Sequence, residues 1–265
     1  MQAKMNTLKM DLINYCMCHN NDKFIEIFES NNLDPSMKNN IFSKKAIIFS
    51  NISILSYLLK KGANISNKNM YKSTFSRKIK IDMIKFLFDY GIDFISDDKF
   101  ILYCIDISHC VDNVNIVEFL LKQGIDPNRL SNITEEHLID SAIRNRNLKL
   151  VEILISYGAD PSLSTSKCLS LAIQTGEEEL IRLLLNKGAL QSSVTPEDLS
   201  IILKTQPRPS LSLINFLANQ NFDFTAINSI KFNKPHTGEI YPALIELGIE
   251  PIQLIRMYAS DYGSE

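Results

Sequence analysis

The chain has 265 residues, a net charge of −2, 45% apolar and 22% charged residues, nine glycines, nine prolines and no tryptophan. That balance suits a globular protein with a buried core and excludes a collagenous chain, a disordered chain and a strongly basic nucleic-acid binder. Five cysteines without framework spacing read as free thiols in a reducing compartment, and neither a signal peptide nor an apolar run of roughly 18 residues is visible, so a cytoplasmic protein is expected.

Taken in chain order, one phrase keeps returning. It reads IFESNNLDP around Asn32, YLLKKGAN around Gly62, FLFDYGID around Gly91 and FLLKQGIDP around Gly124. It returns as ILISYGADP around Gly158, LLLNKGA around Gly188, FLANQNFDF around Asn221 and LIELGIEP around Gly248. These turn residues stand 30, 29, 33, 34, 30, 33 and 27 positions apart, a period that marks a repeat array. Each phrase predicts a helix closed by Gly or Asn, the residues that best tolerate left-handed backbone. A proline sometimes follows, and it cannot continue a helix.

A shorter helix is predicted before each of these. Sixteen positions ahead of the turn stand the small residues Cys16, Ala46, Ser108, Ala142 and Ala172, which would let the paired helices approach closely. Phe75 and Phe232 occupy that place in two other units, which must pack differently. Thr195-Pro196-Glu197-Asp198 predicts a helix start, with an N-cap hydroxyl, proline in the first helical position and acids in the first turn. Pro207 and Pro209 predict a rigid break between Thr205 and Pro209. Near the end, Ile252, Leu254, Ile255 and Tyr258 are expected to fold back on the last unit, with Asp261–Glu265 frayed.

The segments SAIRNRNLKLVEILISYGADPS (141–162) and LSLAIQTGEEELIRLLLNKGA (169–189) resemble ankyrin repeats. They share that family's order of Leu/Ala helix, short polar turn, Val/Ile-Leu-Leu helix and Gly-Ala-Asp exit. The resemblance extends over residues 8–250 and implies an all-α solenoid of about eight stacked helix–turn–helix repeats. It is strong for the units ending at Gly62, Gly124, Gly158 and Gly188, and weak for the first unit and the last two. The organisation expected is a single solenoid over 1–265, with a capping unit at 1–32, repeats over 33–248 and a C-terminal cap and tail over 249–265. Units of this kind bury their apolar faces only against one another. The family's usual Thr-Pro-Leu-His tetrapeptide is missing throughout. Lys167-Cys168-Leu169-Ser170 stands in its place in the best unit, which implies a softer stack. The Asn/Ile/Lys-rich flavour resembles the divergent ankyrin arrays of large DNA viruses and intracellular bacteria, often directed at host proteins, so host cytoplasm is one expected location.

Chemistry-bearing motifs are scarce. The four histidines, His19, His109, His137 and His236, fall in separate units. Cys16-x-Cys18-His19 would need a second ligand pair nearby to close a zinc site. Cys104, His109 and Cys110 lie three units further along, so no metal is expected. The sequence carries no Gly-x-Gly-x-x-Gly, P-loop, nucleophile elbow or His-Glu-x-x-His. Glu177-Glu178-Glu179 follows Gly176 at a predicted helix start, where acids favour the positive end of the dipole. The expectation is a binding protein and not an enzyme, without cofactor, membrane span or small-molecule substrate. The enzymatic alternative would place a site between irregular units, near Pro207–Pro209 or Lys234-Pro235-His236.

Charge is unevenly spread. From Lys44 to Lys85 there are ten basic residues and one acid, Asp82, whereas Asp89 to Asp126 holds eight acids against Lys99 and Lys122. In the ankyrin family, partners meet the hairpin tips and the ends of the first helices. That register implies a partner-binding face of Lys68, Lys72, Arg77, Lys78, Arg144, Asn145 and Gln174 on the concave side, favouring an acidic protein surface. The competing reading of such a charge run is a solvated helix face that confers solubility. Nucleic-acid or acidic-ligand binding through 44–85 is a weaker alternative, because stacking aromatics are not interleaved there.

Overall fold

All eight predicted turn residues adopt left-handed backbone. φ is 46° at Asn32, 96° at Gly62, 98° at Gly91, 100° at Gly124, 97° at Gly158, 83° at Gly188, 64° at Asn221 and 86° at Gly248. The computed structural model describes residues 2–65, 80–106, 111–163, 167–202, 211–225 and 245–249. Among these the regular structure is helical, apart from one isolated bridge between Leu130 and His137. The chain divides into two compact units, Met1–Ile125 and Asp126–Glu265.

Unit 1 contains α1 (Gln2–Met17), α2 (Asn21–Ser30), α3 (Met37–Ile48), α4 (Ile52–Lys60), α5 (Ile81–Asp89), α6 (Asp98–Asp106) and α7 (Val111–Lys122). Unit 2 contains α8 (Leu138–Arg144), α9 (Leu148–Ser156), α10 (Cys168–Thr175), α11 (Glu178–Asn186), α12 (Pro196–Ile202) and α13 (Leu211–Asn219). A short 3-10 turn at Gln191–Ser193 precedes α12.

One hydrogen-bond pair explains the phrase after each long helix. The amide of Gly62 donates to Leu59 O at 3.0 Å, and that of Ala63 to Leu58 O at 2.9 Å. The same two bonds recur at Asn32/Leu33, Gly91/Ile92, Gly124/Ile125, Gly158/Ala159, Gly188/Ala189 and Asn221/Phe222. This is a Schellman closure, in which the left-handed residue turns the chain and the next residue packs back on the helix. Ala63, Ile92, Ile125, Ala159 and Ala189 are accordingly buried, which is why a small or branched apolar residue follows the glycine.

The second helices bury one fixed set, eight, seven and four positions before the turn. It is Ile54, Leu55 and Leu58 in α4, Met83, Ile84 and Leu87 in α5, Leu150, Val151 and Leu154 in α9, and Leu180, Ile181 and Leu184 in α11. This i, i+1, i+4 set makes a narrow stripe on one helical face. In α2 two places of that set are aromatic: Phe24 and Phe28 stack at 5.7 Å, and both meet Phe42 of α3 edge-on. In unit 2 the first helices α8 and α10 pack side by side and bury Leu138–Ile143 and Cys168–Ile173 almost entirely.

The link between first and second helix has its own device. His19, Ser50, Arg146 and Gly176 all have positive φ. Asn20, Asn51 and Asn147 then cap the second helices through their side chains. Asn51 also joins neighbouring units, donating to Cys16 O at 3.0 Å and Asn21 Oδ1 at 2.8 Å. These bonds correct the alignment of the first unit. Asn20 N–H donates to Tyr15 O as Asn51 N–H donates to Ala46 O, so Tyr15, not Cys16, holds the alanine place. An extra residue separates the two left-handed positions there. Ser108, Phe75, Phe232, the 205–209 break and the C-terminal cap and tail beyond Ile249 lie outside the described residues.

The missing tetrapeptide is replaced by other interlocks. Thr195 caps α12 as predicted: its Oγ1 accepts from Asp198 N at 3.2 Å, while its own N–H donates to Asp198 Oδ2 at 2.9 Å. Asp198 then accepts from Ser170 Oγ at 2.9 Å and Gln174 Nε2 at 2.8 Å, both on α10. One unit earlier, Cys168 Sγ donates to Asp140 Oδ1 at 3.3 Å. The absence of the usual motif therefore does not leave these units unstitched.

Candidate functional site

The ends of the first helices are where the sequence places a partner face. Arg144 closes α8 and Gln174 lies in the last turn of α10. Each stands fourteen positions before its turn glycine, and both are exposed. Arg144 pairs with Glu136, in the long hairpin that precedes α8. Both partners are substantially solvated, so the pair contributes little stability and the guanidinium can exchange it for another carboxylate.

Asn145 and Gln174 also have structural tasks. Asn145 caps α8, and its Nδ2 donates to Ser141 O at 3.0 Å. Gln174 uses its amide on Asp198 and, at 3.3 Å, on Ser170. The remaining predicted face residues, Lys68, Lys72, Arg77 and Lys78, lie outside the described residues, as do the alternative sites at Pro207–Pro209 and Lys234–His236.

The hairpin before α8 presents a feature that sequence reasoning missed. Ser131 N–H donates to Glu136 O and Glu135 N–H to Ser131 O, closing a tight tip. Leu130 and Ile133 stand half exposed on it. Its base is fixed by His137, whose Nδ1–H donates to Asn128 O at 2.8 Å. Asn128 in turn donates to Gly158 O at 2.9 Å and accepts from Asp160 N at 2.8 Å. The finger is thus anchored to the next turn. An apolar residue inside a polar tip sequence (SNITEE) was the available signal.

The electrostatics are those of a scaffold. Burial opposes the charge on Asp198, but hydrogen bonds from Thr195, Gln174 and Ser170 together outweigh it and hold the carboxyl below its ordinary value. Burial pushes the Cys16 thiol up to about 12 and raises that of Cys104 as well, so both stay protonated and are poor nucleophiles. Glu178 is engaged by Arg182 at 2.7 Å, and Arg182 also lies over the Phe216 ring at 4.1 Å and reaches Ser212 Oγ at 3.0 Å. Within the acidic run Glu178 therefore helps fasten α11 to α13. Among the described residues no group of three His, Cys, Asp or Glu is placed to hold a metal ion, and no helix is long and apolar enough to cross a membrane.

A family model for ankyrin repeats (three copies) matches residues 101–198. The ankyrin repeat protein FPV244 of fowlpox virus (strain NVSL) is 29% identical over 136 residues, which is 51% of this chain and 20% of the relative. The chain thus spans about a fifth of that relative's length. Among solved structures, the human ASB11 ankyrin repeat domain aligns with a TM-score of 0.57 at 14% identity, covering 78% of this chain and 96% of that one. The ankyrin repeat domain of Bcl-3, a member of the IkappaB protein family, aligns with a TM-score of 0.52 at 16% identity, covering 77% and 97%. At these identities the structures show the fold. Left-handed closures, paired helices and the matched repeats agree: the fold is that of ankyrin-repeat domains, residues 101–198 match ankyrin repeats, and the chain is similar to a poxvirus ankyrin-repeat relative.

Proposed function

We propose that this chain is a non-enzymatic adaptor or inhibitor that grips a host protein, in the host cytoplasm, along the ends of its first helices and its hairpin tips. Ankyrin repeat domains are generally protein–protein interaction modules. The observation that carries the reading is the exposed first-helix end of unit 2. There Arg144 stands beside a finger that displays Leu130 and Ile133. Arg is enriched among binding hot spots, and exposed apolar side chains beside it offer area that a partner can bury. Lys68, Lys72, Arg77 and Lys78 are also partner contacts in this reading and favour an acidic partner surface, while Asn145 and Gln174 hold the geometry around Arg144.

The test is affinity capture from host-cell lysate with mass spectrometry, comparing the natural chain with Arg144→Glu and with Arg77→Glu/Lys78→Glu. Charge reversal is expected to deplete one or a few captured proteins while circular dichroism stays unchanged. Identical capture by all three forms refutes the assigned face. Steeply salt-dependent binding to any duplex, with no protein captured, refutes the protein-binding reading itself.

A further inference from the structure

Two neighbouring first helices of unit 1 leave an apolar line uncovered. The left-handed residues His19 and Ser50, with the bonds from Asn20 N to Tyr15 O and Asn51 N to Ala46 O, set α1 and α3 in one register. In it Met10 corresponds to Ile41 and Met17 to Ile48. On α3 the buried residues are Phe42, Ser43, Ala46 and Ile47. Ile41 and Ile48 lie on the opposite side and are only partly covered. Met10 and Met17 are 57% and 47% exposed, although Leu12 and Cys16 on the same helix are fully buried. The second helices α2 and α4 each pack on the first helix of their own unit.

Within each line the two residues stand about 10 Å apart along the helix, and packed helices lie roughly 8–10 Å apart. Four apolar side chains therefore share one patch. Methionine suits such a surface because its flexible, polarisable chain adapts to a partner. Lys44 and Lys45 flank the Ile41–Ile48 line, one on each side. Neither forms an ion pair among the described residues. No acid occurs on α3. The single acid of α1, Asp11, is exposed next to Met10 but stands about 100° around the helix from the Met10–Met17 line.

We infer that the Met10–Met17–Ile41–Ile48 patch seats an acidic amphipathic helix of a partner protein. Its apolar face, spaced i, i+3, i+4, i+7, would cover the patch, and its flanking carboxylates would meet Lys44 and Lys45. This rests on the protein-binding reading above and names a partner chemistry for a different part of the molecule.

The probe is a fluorescein-labelled helical peptide with leucine at those spacings and glutamate on both flanks, titrated against the full chain by polarisation. The same peptide with lysine flanks is expected to bind about tenfold more weakly. Lys44→Glu/Lys45→Glu is expected to weaken the glutamate peptide about tenfold, and Met10→Glu/Met17→Glu by at least as much. Arg144→Glu leaves it unchanged. Equal affinity for both peptides, or no binding of the glutamate peptide, overturns the inference. That comparison uses the unaltered chain, so it stands even where a variant folds poorly. A chain that is dimeric by light scattering and becomes monomeric in Met10→Glu/Met17→Glu, without binding the peptide, assigns the face to a second copy and also overturns it. Loss of lysate capture in Arg144→Glu alone would leave the proposed function standing without this inference.

Discussion

Asp198 is the strongest place to test how these divergent repeats are held together. Its carboxylate accepts from Thr195 N and Oγ1 within its own unit, and from Ser170 Oγ and Gln174 Nε2 on α10. Alanine at this position removes half of a capping box, worth about 1 kcal/mol. It also leaves the Ser170 and Gln174 donors without their acceptor, at about 1 kcal/mol each. Asp198→Ala should therefore cost about 3 kcal/mol, and Ser170→Ala alone about 1 kcal/mol. The decisive quantity is the coupling in a double-mutant cycle of Ser170→Ala with Asp198→Ala, expected near 1 kcal/mol. Urea unfolding followed by circular dichroism measures it. Simple additivity would mean that the Ser170–Asp198 bond holds nothing together, and the replacement interlock would have to be abandoned. The pH dependence gives a second reading. The folded carboxyl is held below its ordinary value of 3.8. Its stabilisation is therefore fully present above that value and is lost as pH falls through the lower folded value. The stability gap between natural chain and Asp198→Asn should narrow as the solution is acidified below about pH 4.

Ser43 is fully buried and its hydroxyl has no hydrogen-bond partner, so Ser43→Ala should stabilise by about 1 kcal/mol, read as a higher urea midpoint. Asn51→Ala removes the α4 cap and two bonds to the neighbouring unit, and should cost about 2 kcal/mol in the same assay. Gly158→Ala should cost about 1 kcal/mol through backbone strain at φ +97°, since the added Cβ meets nothing closer than 4.0 Å. A loss well above that in Gly158→Ala would point to an unrecognised steric contact.

The second helices were legible because two constraints coincide in each phrase. The residue that closes the helix must tolerate positive φ, and the residues eight, seven and four before it must be apolar. Asn32 and Asn221 were found from the apolar run and the closing residue that follows it, although neither is glycine. The first helices were harder to place. Their link to the second helix uses Ser50 and Arg146 in left-handed backbone, residues with no strong preference for it, so spacing alone misplaced Tyr15 by one position. The capping asparagines at 20, 51 and 147 were the better marker. Polar interlocks escaped for a different reason. A buried carboxylate such as Asp198 resembles an ordinary first-turn acid until α10, the first helix of the preceding unit, brings Ser170 and Gln174 against it. The exposed Leu130, Ile133, Met10 and Met17 were hidden because an apolar residue in sequence is read as core until its face is known.

The two helical layers are under different physical demands, and this bears on where recognition is written. The second helices α4, α5, α9 and α11 repeat the same buried triplet, because each must fit similar neighbours, and substitution there costs packing. At one exposed first-helix register the residues are Met17, Ile48, Arg144 and Gln174, an apolar pair in unit 1 and a polar pair in unit 2. Burial cannot dictate those choices, since the side chains are partly or largely in water. Helix propensity does not separate them strongly either, as all four rank between good and average formers. Gln174 is accounted for inside the fold by its bonds to Asp198 and Ser170, which leaves Met17, Ile48 and Arg144 as the positions where a contact outside the fold has room to decide. An apolar, lysine-flanked face in one unit and an arginine beside an apolar finger in the other are suited to different surfaces, so the two units would engage distinct parts of one partner or two partners at once. If both contacts belong to one partner, linking them raises the effective concentration of the second. Disabling either face should then weaken capture far more than the lost contact alone, whereas independent partners would be lost one at a time.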